Sequence, residues 1–471
     1  MKKTIRNIFL AACAAAALGG CEKWTMPEPV RTQHPENQSL FTRDDAYFAR
    51  LRQYKKSEHK IAFGWFGSWT AIGASEQCRL SSAPDSMDII SMWSTWHSLN
   101  ERQMADKAFV QNVLGTKVVF CISAKDCPEV FKENGVITEA SVAAYARAWG
   151  KDSMDKYSYD GIDIDFETAS DHQGPLSTNK EMFYKFCLEL SKYIGPQSGT
   201  GRLFIIDGNI DSSTLDNRIP ALCDYAVSQA YSCSSYTNLN SRTNNATANG
   251  WRPDRIIFTE NFESLWSTGG VNHTTYGGGA MPSLLGMAYY SVHGGSAAAT
   301  RSAGFGAYHM EYEYGHADMP YKYMRQAIQL ANPAPEGDYS KNLVTLNEAG
   351  DVTVNAGATS VEYTLTARLS APASGSATLP LKVDNAAVAD YNDYNYTDYA
   401  TLDPSLVLFS GPLTFADGAM TCTEPVTVSV ADLSSLESGK TYMIPVTVDF
   451  ARNARYSANT KKQFFNIFLH R

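Results

Sequence analysis

The sequence predicts an α/β chain: a (β/α)8 TIM barrel followed by a C-terminal all-β sandwich. Three observations carry that reading. Between residues 61 and 330, short apolar runs alternate with helical segments, the pattern of a parallel barrel. One of those runs, Gly161-Ile162-Asp163-Ile164-Asp165-Phe166-Glu167, sets carboxylates on one side of an extended chain and apolar residues on the other. After residue 332 the periodicity changes to two, as in half-buried strands. At 471 residues the chain is too long for one ordinary core, so more than one domain is expected.

Residues 1–21 read as an export segment. Lys2, Lys3 and Arg6 form a basic start, and the apolar run from Ile8 to Leu18 is too short to span a membrane. The run ends in Leu18-Gly19-Gly20-Cys21, which resembles the bacterial lipobox. The resemblance implies cleavage before Cys21 and a lipid anchor on that residue. Residues 22–43 mix Pro, Glu, Gln and Asn without periodicity and read as a flexible stalk. The expected address is the outer membrane, on the cell surface or facing the periplasm.

The barrel is expected over residues 44–332. A helix should begin after Asp44 or Asp45, with Tyr47, Phe48, Leu51 and Tyr54 on one face. Strands follow at Ile61–Phe66, Met87–Met92 and Lys117–Ile122. Val142–Tyr157 reads as a helix leading into the acidic strand, the fourth. Asn179–Ile194 is an amphipathic helix, and Leu203–Gly208 the fifth strand. Asp224–Tyr231, Arg255–Thr259 and Phe305–Met310 supply the last three, and Pro320–Leu330 closes the ring as a helix. In the Gly-, Ser- and Ala-rich stretch 264–304, Leu284–Tyr290 fits either helix or strand. Eight strands in about 270 residues match the usual barrel of ~250.

Asn332-Pro333-Ala334-Pro335 marks the boundary to a sandwich over residues 342–471. Val361, Tyr363, Leu365, Ala367 and Leu369 alternate with polar residues, and Val426–Val430 and Pro445–Val448 repeat the alternation. This part loosely resembles a module of surface glycan-handling lipoproteins of Bacteroidetes. Its Asp390–Tyr396 cluster, with three tyrosines, fits either sugar stacking or a polar loop over the sandwich.

The acidic strand is the chemical signal. Like charges ~7 Å apart along one face repel and raise one another's pKa, which an ordinary strand avoids. Facing a barrel interior, with Glu167 last at the carboxyl end, they would stand where such barrels carry their active sites. Glycosidic cleavage needs a proton on the leaving oxygen, and Glu167 is the natural donor, held protonated by crowding from Asp165. A second carboxylate on the same strand lies on the same side of the substrate and cannot attack from behind. Asp160 has the opposite parity, near the strand entrance, and is expected to be structural with Gly161.

The residues Asp160-Gly161-Ile162-Asp163-Ile164-Asp165-Phe166-Glu167 also resemble the DG-x-D-x-D-x-E signature of glycoside hydrolase family 18. That family holds chitinases and the endo-β-N-acetylglucosaminidases of N-glycans. The resemblance implies that the substrate's own 2-acetamido oxygen is the nucleophile, giving an oxazolinium ion and retention. Asp165 would bind the acetamido N–H and Asp163 would sit beneath it, sharing a proton. Gln229-Ala230-Tyr231 resembles the Gln-x-Tyr of endoglycosidase members, which implies that Tyr231 and Gln229 contact the acetamido group. Asn209 and Tyr308 are candidates for lining the cleft. The chain departs from the family's Ser-x-Gly-Gly at Ser123-Ala124-Lys125-Asp126, and from the chitinase Trp on the eighth strand at Gly306–Glu311. The second departure is similar to the endoglycosidases.

Trp65, Trp69, Trp93 and Trp96 follow the first two strands and suit either a sugar-stacking wall or loop contacts. The net charge of −9 shows no basic stripe, which argues against a nucleic-acid partner. Seven cysteines beyond Cys21 match no metal framework, and no His pair has ligand spacing, so neither metal nor cofactor is expected. Cys223–Cys233 and Cys121–Cys127 are conceivable disulfides. The expected partners are N-linked glycans, the membrane through the anchor, and a glycan-import system in that membrane. The rival readings are a chitinase or chitodextrinase, and a non-catalytic surface glycan-binding lipoprotein.

Overall fold

The structure, a computed structural model, describes residues 43–471 apart from 74, 95, 170, 296–299, 339–340 and 356. The export segment, Cys21 and the stalk up to residue 42 lie outside the described residues. Residues 48–471 form one compact unit. Before it, Asp44 Oδ1 accepts the Tyr47 N–H (2.7 Å), the capping expected for the helix Asp45–Lys56.

Eight parallel strands close into a barrel: β1 (Ile61–Phe66), β2 (Ile89–Met92), β3 (Lys117–Ser123), β4 (Gly161–Phe166), β5 (Leu203–Gly208), β6 (Tyr225–Gln229), β7 (Ile256–Asn261) and β8 (Gly304–Tyr308). Each strand pairs with its sequence neighbours, and β8 closes on β1 through Ile61↔Gly304 to Gly64↔Ala307. Helices occupy most crossovers, and their starts follow local chemistry. Asn100 and Gln103 make a reciprocal capping box before Glu101–Phe109, and Thr138 with Ser141 does so before Glu139–Arg147. Lys180–Leu190 turns Phe183, Phe186, Cys187 and Leu190 inward. Among the described residues, only short 3-10 turns follow β1 and β5.

Several expected boundaries move. The sixth strand ends at Gln229, because Ala230 N–H turns back to Ser228 O (2.8 Å), leaving Tyr231 in the following loop. The ambiguous Leu284–Tyr290 lies in a helix, Ser283–His293, behind a short hairpin of Asn272–Thr274 and Ala280–Pro282. Its eleven residues bury Leu284, Met287, Ala288 and Tyr290, which a strand of alternating parity would not do.

Inside the barrel two layers differ in character. Phe63, Ile89, Val119, Ile205, Val227 and Ile257 form a dry apolar plug. Above it, toward the carboxyl ends, the buried inward residues turn polar: Ser91, Asp163, Asp207 and Thr259. This inversion positions the candidate site, since polar groups inside a barrel are costly unless they hydrogen-bond one another.

The C-terminal domain is rich in strands. Among the described residues its largest sheet runs Gly350–Thr353, Phe465–His470, Thr441–Val448, Leu381–Val383, and smaller sheets share an apolar core with it. Leu365, Leu379, Leu413, Val428, Val430, Ile444, Val446 and Ile467 are wholly buried in its apolar core. The Asp390–Tyr396 cluster is not a loop: it lies at the end of a helix, Ala386–Asn395. Tyr391 packs on Tyr399 and Phe468, while Tyr394 and Tyr396 are exposed.

Candidate active site

Parity puts the acidic face of β4 inside the barrel, and Glu167 follows directly after the strand's last residue, Phe166. Asp163 is fully buried. Its Oδ2 accepts the Trp65 indole N–H (2.9 Å) and the Ser91 hydroxyl (2.8 Å). Asp165 lies one step higher, level with Ser123 on β3 and Asp207 on β5. Glu167 Oε2 meets His172 Nδ1 at 2.9 Å, from the loop after β4.

The electrostatics of this row are set by burial and by the carboxyls' nearness to one another. Burial, then the charges of Glu167 and Asp163, push Asp165 up to about 7. Burial pushes Asp163 up to about 6, opposed by hydrogen bonds from Ser91, Asp207 and Trp65. Crowding within the row thus acts on Asp165 from both sides, from Asp163 below it and Glu167 above.

Asp160 and Gly161 stand at the entrance of β4. Asp160 Oδ2 accepts Gln111 Nε2–H (2.7 Å) and Val118 N–H (2.9 Å), tying β3 to the start of β4. A Cβ on Gly161 would come within 2.3 Å of Leu203 O, so the close approach of β5 requires glycine there. Asn209 Oδ1 accepts both the N–H and hydroxyl of Thr168, at 2.8 and 2.9 Å. It thereby steadies the residue after Glu167. Tyr231 sits with its ring centroid 6.2 Å from that of Tyr308, roughly stacked, and burial raises its phenol pKa.

Trp65 does not form a stacking wall: it is 2% exposed, with its indole inside the barrel and its N–H spent on Asp163. Trp69 is buried likewise, donating to Asp106 Oδ2 (2.9 Å), and Trp96 stacks on Phe120. Of the four, Trp93 is the exposed one, edge-on to Tyr308 (5.6 Å) and His309 (5.4 Å). His309 in turn is held by Glu311, which also accepts Gly67 N–H and Ser68 N–H. An aromatic cluster of Trp93, Tyr308 and His309 thus stands where the eighth strand offers no Trp.

Sequence reasoning passed over Asp207, His172 and Ser91. Asp207 carried a readable signal: a carboxylate in the apolar run Leu203–Gly208, with the parity of the inward Ile205. Gln229, read as a substrate contact, donates its Nε2–H to Asp207 Oδ1 (3.1 Å). Two trios of donor atoms, Cys121–Asp163–Asp207 and Asp165–Glu167–His172, each lie within 4.8 Å. The first joins the half-buried Cys121 thiol to two buried acids, and the second joins Asp165 to the Glu167–His172 contact. All seven described cysteines are free, so neither conceivable disulfide forms.

With this geometry in place, the chain was compared with known proteins. A family model described as glycoside hydrolase family 18, BT1044-like, matches residues 25–330. A second model, of an N-terminal domain, matches residues 337–454. Endo-beta-N-acetylglucosaminidase F2 of Elizabethkingia meningoseptica is 27% identical over 205 residues, 41% of this chain. The match spans 56% of that relative's own length. Among solved structures, a Glu-to-Gln variant of BT1044 is 31% identical with a TM-score of 0.54, over 63% of this chain and 95% of that one. An endo-beta-N-acetylglucosaminidase from Cordyceps militaris is 21% identical with a TM-score of 0.48, over 62% of this chain and 97% of its own.

Proposed function

The chain belongs to glycoside hydrolase family 18, and on that footing we propose that it is an endo-β-N-acetylglucosaminidase. It hydrolyses the β-1,4 bond between the two N-acetylglucosamines of an N-glycan core, with retention of configuration. One observation carries the mechanism. The carboxyls of the row that leads to Glu167, namely Asp163, Asp165 and Asp207, all stand on the adjacent strands β4 and β5. They share one side of any sugar bound over Glu167, so none of them faces the anomeric carbon from behind. A retaining enzyme then takes its nucleophile from the substrate, and the 2-acetamido oxygen is the group at hand.

In this reading Glu167 protonates the leaving oxygen, and His172 hydrogen-bonds it between turnovers. Asp165 binds the acetamido N–H and stabilises the oxazolinium ion, with Asp163 beneath it. Tyr231 donates to the acetamido oxygen. The 27% relative, and the Trp93–Tyr308–His309 cluster in place of a strand-end Trp, favour N-glycan over chitin. The lipobox-like run ending in Cys21 supports an anchor in the outer membrane. There the released glycans would pass to an import system.

The test is mass spectrometry of a glycoprotein panel treated with the protein lacking residues 1–21. Released glycans should leave one N-acetylglucosamine on Asn, and Glu167→Gln should slow release by about 10²–10⁴-fold. Cleavage of chitooligosaccharides with no glycoprotein product would replace this reading with the chitinase. Binding without cleavage of either would make it a glycan-capture protein.

A further inference from the structure

One buried acid at the site has no part in the reaction just described. Asp207 stands near the carboxyl end of β5, in register with Asp165, and is 1% exposed. A carboxyl oxygen of Asp207 lies within 4.8 Å of one of Asp163, and Asp165 stands beside it on the neighbouring strand. Asp163 Oδ1 and Asp165 Oδ1 are both buried and receive no N–H or O–H. Among the described residues no Lys or Arg pairs with any of the three. Carboxylates in hydrogen-bond contact must share protons, because ionised carboxylates offer acceptors only.

Gln229 decides which oxygen of Asp207 carries the hydrogen. Its amide N–H donates to Oδ1 at 3.1 Å, which makes that oxygen the carbonyl and leaves Oδ2 as the hydroxyl. The Cys121 thiol, which donates toward Oδ2 across 3.9 Å, is too weak a donor to reverse that assignment.

We propose that Asp207 is a positioning residue: a neutral carboxylic acid, its tautomer set by Gln229, whose single hydrogen bond to the Asp163–Asp165 pair keeps Asp165 aligned and anionic during turnover. The turnover role rests on the family 18 reaction above, whereas the neutral state of Asp207 does not. The groups facing it are Cys121 from β3, Asp163, Asp165 and Glu167 from β4 and its end, and Tyr231 after β6, with His172 beyond Glu167. Burial, followed by the charges of Asp163 and Asp165, holds its pKa well above the carboxylate range, in keeping with the geometry.

Two substitutions and two readouts test this. Asp207→Asn keeps the shape, the acceptor for Gln229 and one donor. It should hold kcat/KM within about threefold and leave the acid limb of its pH profile in place. Asp207→Leu keeps the bulk but removes the donor. It should lose at least about tenfold in kcat/KM and move the acid limb to higher pH, since the lost bond favoured the Asp165 carboxylate. If Asp207 is instead an anion, Asp207→Asn deletes a charge and moves the acid limb down by about one pH unit, which overturns the proposal.

The second readout needs no substrate. A carboxyl neutral in the folded state and ionised in the unfolded chain destabilises the wild type progressively as pH rises. The folding equilibrium constant of Asp207→Asn relative to wild type should therefore grow about tenfold per pH unit from about pH 5 to 8. A flat ratio overturns the proposal. Absence of hydrolysis by the wild type would refute the endoglycosidase reading alone and leave this ratio as the test of Asp207.

Discussion

Trp65→Phe separates a hydrogen bond from the ring that carries it. The indole N–H donates to Asp163 Oδ2 at 2.9 Å inside the barrel, beside the Ser91 hydroxyl on the same oxygen at 2.8 Å. A hydrogen bond to a charged group is worth about 1.5–3 kcal/mol. One pH unit corresponds to about 1.4 kcal/mol, so losing the bond should raise Asp163 by about 1–2 units above its present value of about 6. The smaller ring leaves a void costing about 1–2 kcal/mol, the same at every pH. The hydrogen-bond part depends on pH, with a definite sign. Asp163 already has a folded pKa above its ordinary 3.8, so its contribution to stability is complete below 3.8 and declines as pH rises through about 6. In Trp65→Phe the decline continues to higher pH, making the variant's deficit about 1.5–3 kcal/mol larger at pH 9 than at pH 4. Urea unfolding followed by tryptophan fluorescence reads this from the barrel, because no Trp follows Trp266 in the chain. The acid limb of the kcat/KM profile should move up in parallel. Equal destabilisation at both pH values, with the acid limb unmoved, would show that Trp65 contributes packing alone.

Two further substitutions probe how the scaffold holds Glu167. Gly208 has φ +97°, and a Cβ there would lie 2.4 Å from Phe166 O. Gly208→Ala should therefore cost about 3 kcal/mol or more in thermal or urea unfolding, and depress kcat by displacing the end of β4. Asn209→Ala removes the acceptor of both Thr168 donors. It should lower kcat about tenfold with KM and melting temperature little changed, and Asn209→Asp, which keeps the acceptor, should recover most of the loss.

Much of the barrel was legible because its strands are written locally. β1 and β5 begin and end at the residues the apolar runs predict, Ile61–Phe66 and Leu203–Gly208. A strand buried on both faces needs a short continuous apolar run, and turn residues on either side delimit it. The acidic face of β4 was legible for the same reason. Strict alternation assigns Asp163 and Asp165 to one face, and a helix-covered barrel leaves only the interior for it. Asp160 and Gly161 likewise declare themselves by parity and position at the strand entrance.

What tertiary structure alone decided is where side chains meet across strands. From the sequence Trp65 suits either a sugar-stacking wall or loop contacts, because its own neighbours do not reveal that β1 packs its indole onto Asp163, nearly a hundred residues away. The Gln229–Asp207–Asp165 contact joins three strands and depends on their relative shear, a property of barrel closure that no single segment encodes. The same holds for the proton. Sequence spacing places Asp165 and Glu167 close enough to perturb each other, but burial inside the barrel is the largest cause that pushes Asp165 up. Glu167 stands past the strand end and partly meets solvent, whereas Asp165 points into the barrel among other acids. Local periodicity therefore determined the fold and the identity of the acid row, and closure of the barrel determined the desolvation and partners that set its chemistry.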